Sequence, residues 1–158
     1  MTDTTPIPKS PTPENPTLRV SGLLVNKGRI LMVEQARAGE RYWLLPGGGV
    51  HFGETLPEAL RREFVEEIGL RVAVNRLLAI IESISPELDY AKHVVHLIFE
   101  VTAAPEASFE PMDAKILDAA YRNETQLQSA DMRPPISEFL IASLRELPSA
   151  PQYLGRRW

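Results

Sequence analysis

The chain has 158 residues, a formal net charge of −4, 44% hydrophobic residues and 24% charged residues, which is the balance of one globular domain and not of a disordered chain. That acidity excludes the broad electrostatic attraction behind sequence-independent nucleic-acid binding, so a phosphate-bearing ligand needs local help such as a bound cation. The absence of cysteine excludes disulfides, thiolate zinc sites and a cysteine nucleophile. There is no basic stretch leading into an apolar leader and no run of about 18 apolar residues. The expectation is therefore a cytoplasmic protein with no membrane partner and no stable nucleic-acid partner.

Five of the 14 prolines (Pro6, Pro8, Pro11, Pro13 and Pro16) fall within the first 16 residues, a composition that predicts an extended arm over residues 1–16. The domain is expected over 17–148 and a tail or docking segment over 149–158. Leu18 to Val25 and Arg29 to Gln35 are rich in branched apolar residues and flank the turn residues Asn26, Lys27 and Gly28, which together predict a β-hairpin. A polar loop from Ala36 to Arg41 leads to the short apolar run Tyr42 to Leu45. Gly47, Gly48 and Gly49 follow Pro46, allowing the main chain to approach another group closely.

From Thr55 the period changes to that of a helix. Leu56, Leu60, Phe64 and Ile68 recur every fourth residue, Thr55 and Glu58 fit a capping box, and Gly69 ends the segment. Two strands are predicted beyond it, Val72 to Ser83 and His93 to Thr102, separated by a loop around Pro86 and Asp89. Ala114 to Tyr121 gives a weaker strand signal, and Pro134-Pro135 opens a helix from Ile136 to Glu146.

The first helix carries the chemistry. Glu63, Glu66 and Glu67 are spaced i, i+3, i+4 and share one face. Three crowded carboxylates repel one another, so a cation is expected among them, and hard divalent ions such as Mg²⁺ or Mn²⁺ take oxygen ligands. Arg62 is placed to orient a carboxylate of Glu54, Glu58 or Glu66 with its planar guanidinium.

Taken together, Gly48-x5-Glu54-x7-Arg62-Glu63-Phe64-x-Glu66-Glu67-x-Gly69-Leu70 resembles the Nudix box, the signature of the Nudix hydrolase family. Its seven fixed residues would match by chance roughly once in 10⁸ to 10⁹ starting positions at average residue usage. Phe64 stands where the family usually has an aliphatic residue. The resemblance implies an α/β fold, a Nudix-type α/β/α sandwich with a mixed β-sheet. It also implies hydrolysis of the diphosphate in a nucleoside diphosphate linked to another moiety, with Mg²⁺ or Mn²⁺ as cofactor. Residue by residue, it implies Glu63, Glu66, Glu67 and the carbonyl of Gly47 as metal ligands. Glu54 and Arg62 then brace loop and helix, with Glu66 or Glu67 assisting the attacking water. A later acidic residue often supplies the base in this family, and here the candidates are Glu110 and Asp113, with Glu82 and Glu87 behind them. A homodimer is also implied, and the proline-rich arm gives it a physical handle.

Pro86 lies 16 residues after Leu70, which resembles a marker of the ADP-ribose-cleaving branch and favours nucleoside diphosphate sugars. The alternatives are a MutT-like nucleoside triphosphate pyrophosphatase, a dinucleoside polyphosphate or RNA 5′-end hydrolase, and a non-catalytic nucleotide sensor. Arg19, Arg41, Tyr90 and His96 are the candidate contacts to a small nucleotide substrate, with Tyr42, Trp43 and His93 also near the expected mouth. His93 and His96 are three apart on a strand, so they point to opposite faces and form no metal pair.

Overall fold

The computed structural model describes residues 15–85 and 92–158; the expectations placed on residues 1–14 and on Pro86, Glu87, Asp89 and Tyr90 lie outside the described residues. The hairpin predicted over 18–35 divides between two sheets. Strand β1 (Thr17–Leu23) enters the first sheet, and β2 (Val25–Asn26) pairs with β3 (Arg29–Arg37) in the second. Burial explains the division: Val20 and Leu24 pack into one core and Leu23 into another, so the run serves two layers and needs a change of sheet between them. The turn itself is as expected, with Lys27 at φ 50° and Gly28 at φ 68°. Positive φ at both central residues suits the twist of a two-residue hairpin.

The polar loop expected over Ala36 to Arg41 is shorter in the structure. β3 runs to Arg37 and β4 (Glu40–Leu44) starts three residues later. Ala38 (φ 52°) and Gly39 (φ 81°) form the turn; an alanine at positive φ is uncommon, which is why composition pointed to a longer loop. Strand β5 (Gly47–Gly49) follows, then helix α1 (Leu56–Ile68), with its capping box at Thr55 and Glu58 and left-handed Gly69 at its end. The remaining elements are β6 (Ala73–Ile84), β7 (His93–Thr102), β8 (Asp118–Arg122), α2 (Glu124–Ser129), α3 (Ser137–Arg145) and β9 (Gln152–Arg156). Beyond the predicted elements lies α2, a six-residue helix capped reciprocally by Asn123 and Gln126.

The first sheet has the order β5-β1-β7-β6-β9 and is mixed, since β1 and β7 pair in parallel, as do β6 and β9. The second contains β2, β3, β4 and β8. One core joins α1, through Leu60, Phe64 and Ile68, to Val20, Leu31 and Val101. The other joins Leu127 of α2 and Leu140 of α3 to Leu23, Met32, Ile81 and Ile98. Gly22 is needed where α1 crosses β1, because a Cβ there would lie 2.5 Å from the Phe64 ring. The 149–158 segment, expected as a tail or docking segment, docks on β6 as the edge strand β9. Its parallel register to β6 and the bond from the Arg157 amide to the Glu82 carbonyl (2.8 Å) fix its path.

Candidate active site

β5 and α1 bring the predicted box residues together. The Gly47 amide donates to Glu67 Oε2 at 2.9 Å, joining the glycine strand to the last turn of the helix. Gly48 lies against Glu63: a Cβ there would meet the carboxylate carbon at 2.3 Å. At Gly47 a Cβ would lie 2.0 Å from the Val20 carbonyl, whereas Gly49 faces open space. The loop thus needs two of its three glycines for packing, each against a different neighbour.

Arg62 is the hub of the charges. Its Nε and Nη2 donate to the two oxygens of Glu54 at 2.6 and 3.0 Å, its Nη1 to Glu63 (2.8 Å) and Glu66 (3.1 Å), and its Nη2 also to the Gly49 carbonyl at 3.0 Å. Hydrogen bonds from Arg62 and from the His51 amide hold the Glu54 carboxyl down to about 2. Glu58, one of the three partners considered for Arg62, is occupied by the capping box. Among the described residues no three His, Asp or Glu side chains converge as a ready-made metal cage; Glu63 and Glu66 are drawn to Arg62 and Glu67 to the Gly47 amide.

Glu67 is only 6% exposed. Burial pushes its pKa up to about 7, against the Gly47 hydrogen bond and the charge of Arg19, with Glu63 and Asp113 adding repulsion. A buried carboxylate beside other carboxylates fits a site completed by positive charge. The donor set fits as well: three carboxylates and the Gly47 carbonyl are all hard oxygen donors of the kind that hold Mg²⁺ or Mn²⁺. Arg19 Nη2 donates to that carbonyl at 2.7 Å, using one of its two lone pairs.

The candidates outside the box are more scattered. Arg19 lies at the edge of a cleft of about 600 Å³ and His96 and Ser83 lie in its wall. His96 Nε2 is 3.0 Å from Ser83 Oγ, and burial, with Arg19 and Lys92 nearby, lowers the imidazole to about 4. It is therefore a neutral hydrogen-bonding group near pH 7. Arg41, a predicted substrate contact, is instead exposed and paired with Glu34 at 3.3 Å. Strand alternation explains the correction: its neighbours Glu40 and Tyr42 line the cleft, so Arg41 points away from it.

Glu82 is corrected by the same rule. Its neighbour Ser83 faces the cleft, while Glu82 bonds His93 at 3.1 Å and accepts from the Tyr153 hydroxyl. Glu110 and Asp113 sit on the loop that closes over the end of α1, where the Glu110 amide donates to the Ile68 carbonyl (3.1 Å) and the Met112 amide to the Glu67 carbonyl (2.8 Å). Asp113 raises the Glu67 pKa through its charge, and its carboxylate accepts from the Lys115 amide at 2.9 Å.

Sequence reasoning missed much of the cleft wall. Arg37, Lys92, Arg133, Arg157 and Trp158 line it. Arg133 is held by Glu40 at 2.7 Å and lies 4.5 Å from the Tyr42 ring centroid. The short bridge of Trp43 to Met132 places it there.

A two-sheet α/β fold with a glycine strand, an acidic helix and an adjoining cationic cleft defines the class of protein. The family profile NUDIX domain matches residues 15–142, and the chain belongs to that family. It is 35% identical over 86 residues to an ADP-ribose pyrophosphatase of Methanocaldococcus jannaschii, covering 54% of this chain and 50% of that protein. It is 31% identical over 113 residues to an oxidized purine nucleoside triphosphate hydrolase of Mus musculus, covering 71% of this chain and 60% of the other. The chain thus spans about half to three-fifths of the length of these curated relatives. Among solved structures, a NUDIX hydrolase from Nitrosomonas europaea superposes with a TM-score of 0.68 at 21% identity, covering 90% of this chain and 80% of the other; that likeness supports the fold.

Proposed function

We propose that this chain is a divalent-metal-dependent pyrophosphohydrolase that cleaves the diphosphate of a nucleoside diphosphate derivative, with nucleoside diphosphate sugars such as ADP-ribose favoured. The observation that carries this reading is that Arg62 holds Glu63 and Glu66 beside the glycine strand, whose Gly47 amide holds Glu67, while Arg19 links the Gly47 carbonyl to a cleft lined by cationic side chains. Glu63, Glu66, Glu67 and that carbonyl would hold Mg²⁺ or Mn²⁺, which when bound neutralises diphosphate oxygens and acidifies water. The protein's own residues do the rest. Arg62 fixes Glu54 and the loop carbonyl of Gly49 in one geometry, and Arg19 fixes the carbonyl of Gly47. Glu67 and Asp113, whose charge acts on it, are the groups placed to take a proton from water. In the reaction, water oxygen bonds to one phosphorus, the bridging P–O bond breaks, and the electron pair leaves on the second phosphate.

The nucleoside diphosphate sugar preference draws on the likeness to the archaeal ADP-ribose pyrophosphatase. The second reading, a nucleoside triphosphate pyrophosphatase, draws on the longer alignment with the mouse hydrolase. A panel of ADP-ribose, GDP-mannose, dinucleoside polyphosphates and nucleoside triphosphates, each with Mg²⁺ and Mn²⁺, separates them. Turnover of triphosphates alone would reject the sugar-nucleotide preference, and turnover of none would reject the hydrolase reading. We further take the chain to be a cytoplasmic homodimer; its mass in solution, with and without residues 1–16, tests the dimer and the role of the arm.

A further inference from the structure

The cleft has an end that the box chemistry does not use. It begins at Arg19 on β1, crosses Val94 and His96 on β7 and Ser83 on β6, and reaches Arg157 and Trp158 just past β9. These are three strand-to-strand steps of about 4.8 Å each, so the far wall stands roughly 14 Å from the Arg19 backbone. A group at that wall meets the part of a ligand remote from the Gly47 and Glu67 end.

The far wall is built to stay in place. The Arg157 amide donates to the Glu82 carbonyl (2.8 Å), the Arg156 guanidinium to the Ile84 carbonyl (3.1 Å), and the Tyr153 hydroxyl to Glu82. The Arg157 guanidinium bonds the Arg156 carbonyl at 3.1 Å. Trp158 nevertheless remains 58% exposed, an aromatic face left to water at the rim of a cleft. Five cationic side chains, Arg19, Arg37, Lys92, Arg133 and Arg157, line this cleft against the acids Glu40 and Asp131, in a chain whose net charge is −4. The local field therefore selects an anionic ligand, and the aromatic rim selects one with a flat ring at the end away from its phosphates.

We propose that Trp158, carried by β9, is the nucleobase-stacking residue of the substrate cleft, with the planar Arg157 guanidinium as its neighbouring contact. The inference rests on reading the cleft as the substrate site, and it makes the C-terminal strand a determinant of substrate choice. Trp158 is one of two tryptophans, which gives a direct signal. In full-length protein with EDTA, titration with ADP-ribose, GDP-mannose and ATP should quench tryptophan fluorescence, and inorganic pyrophosphate should quench much less. Trp158→Phe should abolish the quench and keep Kd by calorimetry within threefold. Trp158→Ala should weaken nucleotide binding at least tenfold and leave pyrophosphate affinity unchanged. In turnover, Trp158→Ala should raise KM tenfold with kcat held within threefold, and Arg157→Ala should shift KM in the same direction by less.

Wild-type nucleotide affinity and KM in Trp158→Ala, or no quench with any of the three nucleotides, would overturn the proposal. The two readings fail separately. Hydrolysis with a KM indifferent to Trp158 sinks this inference alone, whereas Trp158-dependent nucleotide binding without hydrolysis sinks the activity alone.

Discussion

At the β5 end of the first sheet, polar contacts join residues that are close in sequence: Arg62 to Glu54 is eight apart, Arg62 to Gly49 thirteen, and Gly47 to Glu67 twenty. At the β9 end and across the cleft beside it, the comparable contacts reach much further, 71 positions from Tyr153 to Glu82, 72 from Arg156 to Ile84 and 93 from Arg133 to Glu40. The first region is a loop and helix folded back on themselves. The second forms only when distant segments, from both sheets and from the loop at Arg133, arrive around one cleft. On the proposed reading, the chemistry belongs to the local motif and the selectivity to the global fold, so changes in the two regions should have separable effects.

The largest effect is expected at the local end. Glu66→Gln or Glu67→Gln should lower kcat on the order of 10³-fold, because each removes a charged oxygen donor from the reacting centre; circular dichroism should show an intact fold. Saturating Mg²⁺ or Mn²⁺ should raise the Tm of the wild type and should raise that of Glu67→Gln far less, since ligand-linked stabilisation requires the site. Retention of the wild-type rate in both variants would remove the metal-site assignment.

A smaller but sharper contrast lies in the glycine strand. Gly48→Ala places a methyl group in the volume of the Glu63 carboxylate, and displacement of that carboxylate by about 1 Å should cost roughly 10²-fold in kcat. Gly49→Ala meets open space and should stay close to wild type. Equal losses in the two would show that flexibility of the loop, and not the fit of Glu63 over Gly48, is what the glycines supply.

His96 tests the cleft wall through pH. Its folded pKa, near 4, lies below the ordinary histidine value of 6.5, so the unfolded chain binds the proton first and this residue's contribution to stability falls as pH drops from about 6.5 toward 4. Glu67, pushed up to about 7, works in the opposite direction between its ordinary value of 4.5 and 7. The difference between variants isolates the histidine: His96→Asn should gain about 2 kcal/mol on the wild type between pH 7.5 and pH 5, read from urea midpoints. A constant difference across that range would mean that His96 is not held neutral.

The smallest effect belongs to Arg41. It stands outside both regions in an exposed pair with Glu34, so Arg41→Ala should change stability by less than about 1 kcal/mol and leave KM for every substrate unchanged. A rise in KM would return Arg41 to the cleft.

The helix was legible in the sequence almost to its ends, because its signals are short in range: a capping box at Thr55 and Glu58, an apolar residue every fourth position, and a glycine stop. The grouping of Glu63, Glu66 and Glu67 followed from helical spacing alone. Arg41 and Glu82 were misplaced because the side of a strand that faces a cleft depends on the partner sheet, to which a single run of residues holds no clue. Tyr42 lines the cleft, but its partner Arg133 comes from 91 residues away and no local pattern announces it. The edge strand β9 was invisible for the same reason: Gln152 to Arg156 lacks an alternating pattern, and its pairing with β6 supplies the order.

By itself, then, the sequence determined the acidic helix, the glycine run before it and the three carboxylates on one helix face, since each depends on spacings within about two turns of helix or one short loop. Only the tertiary structure decided that Arg19 would hold the Gly47 carbonyl, that the first hairpin would be shared between two sheets, and that the C-terminal segment would wall the cleft with Arg157 and Trp158. The physical reason is that long-range strand pairing is chosen by the burial of whole faces, a property of the assembled chain.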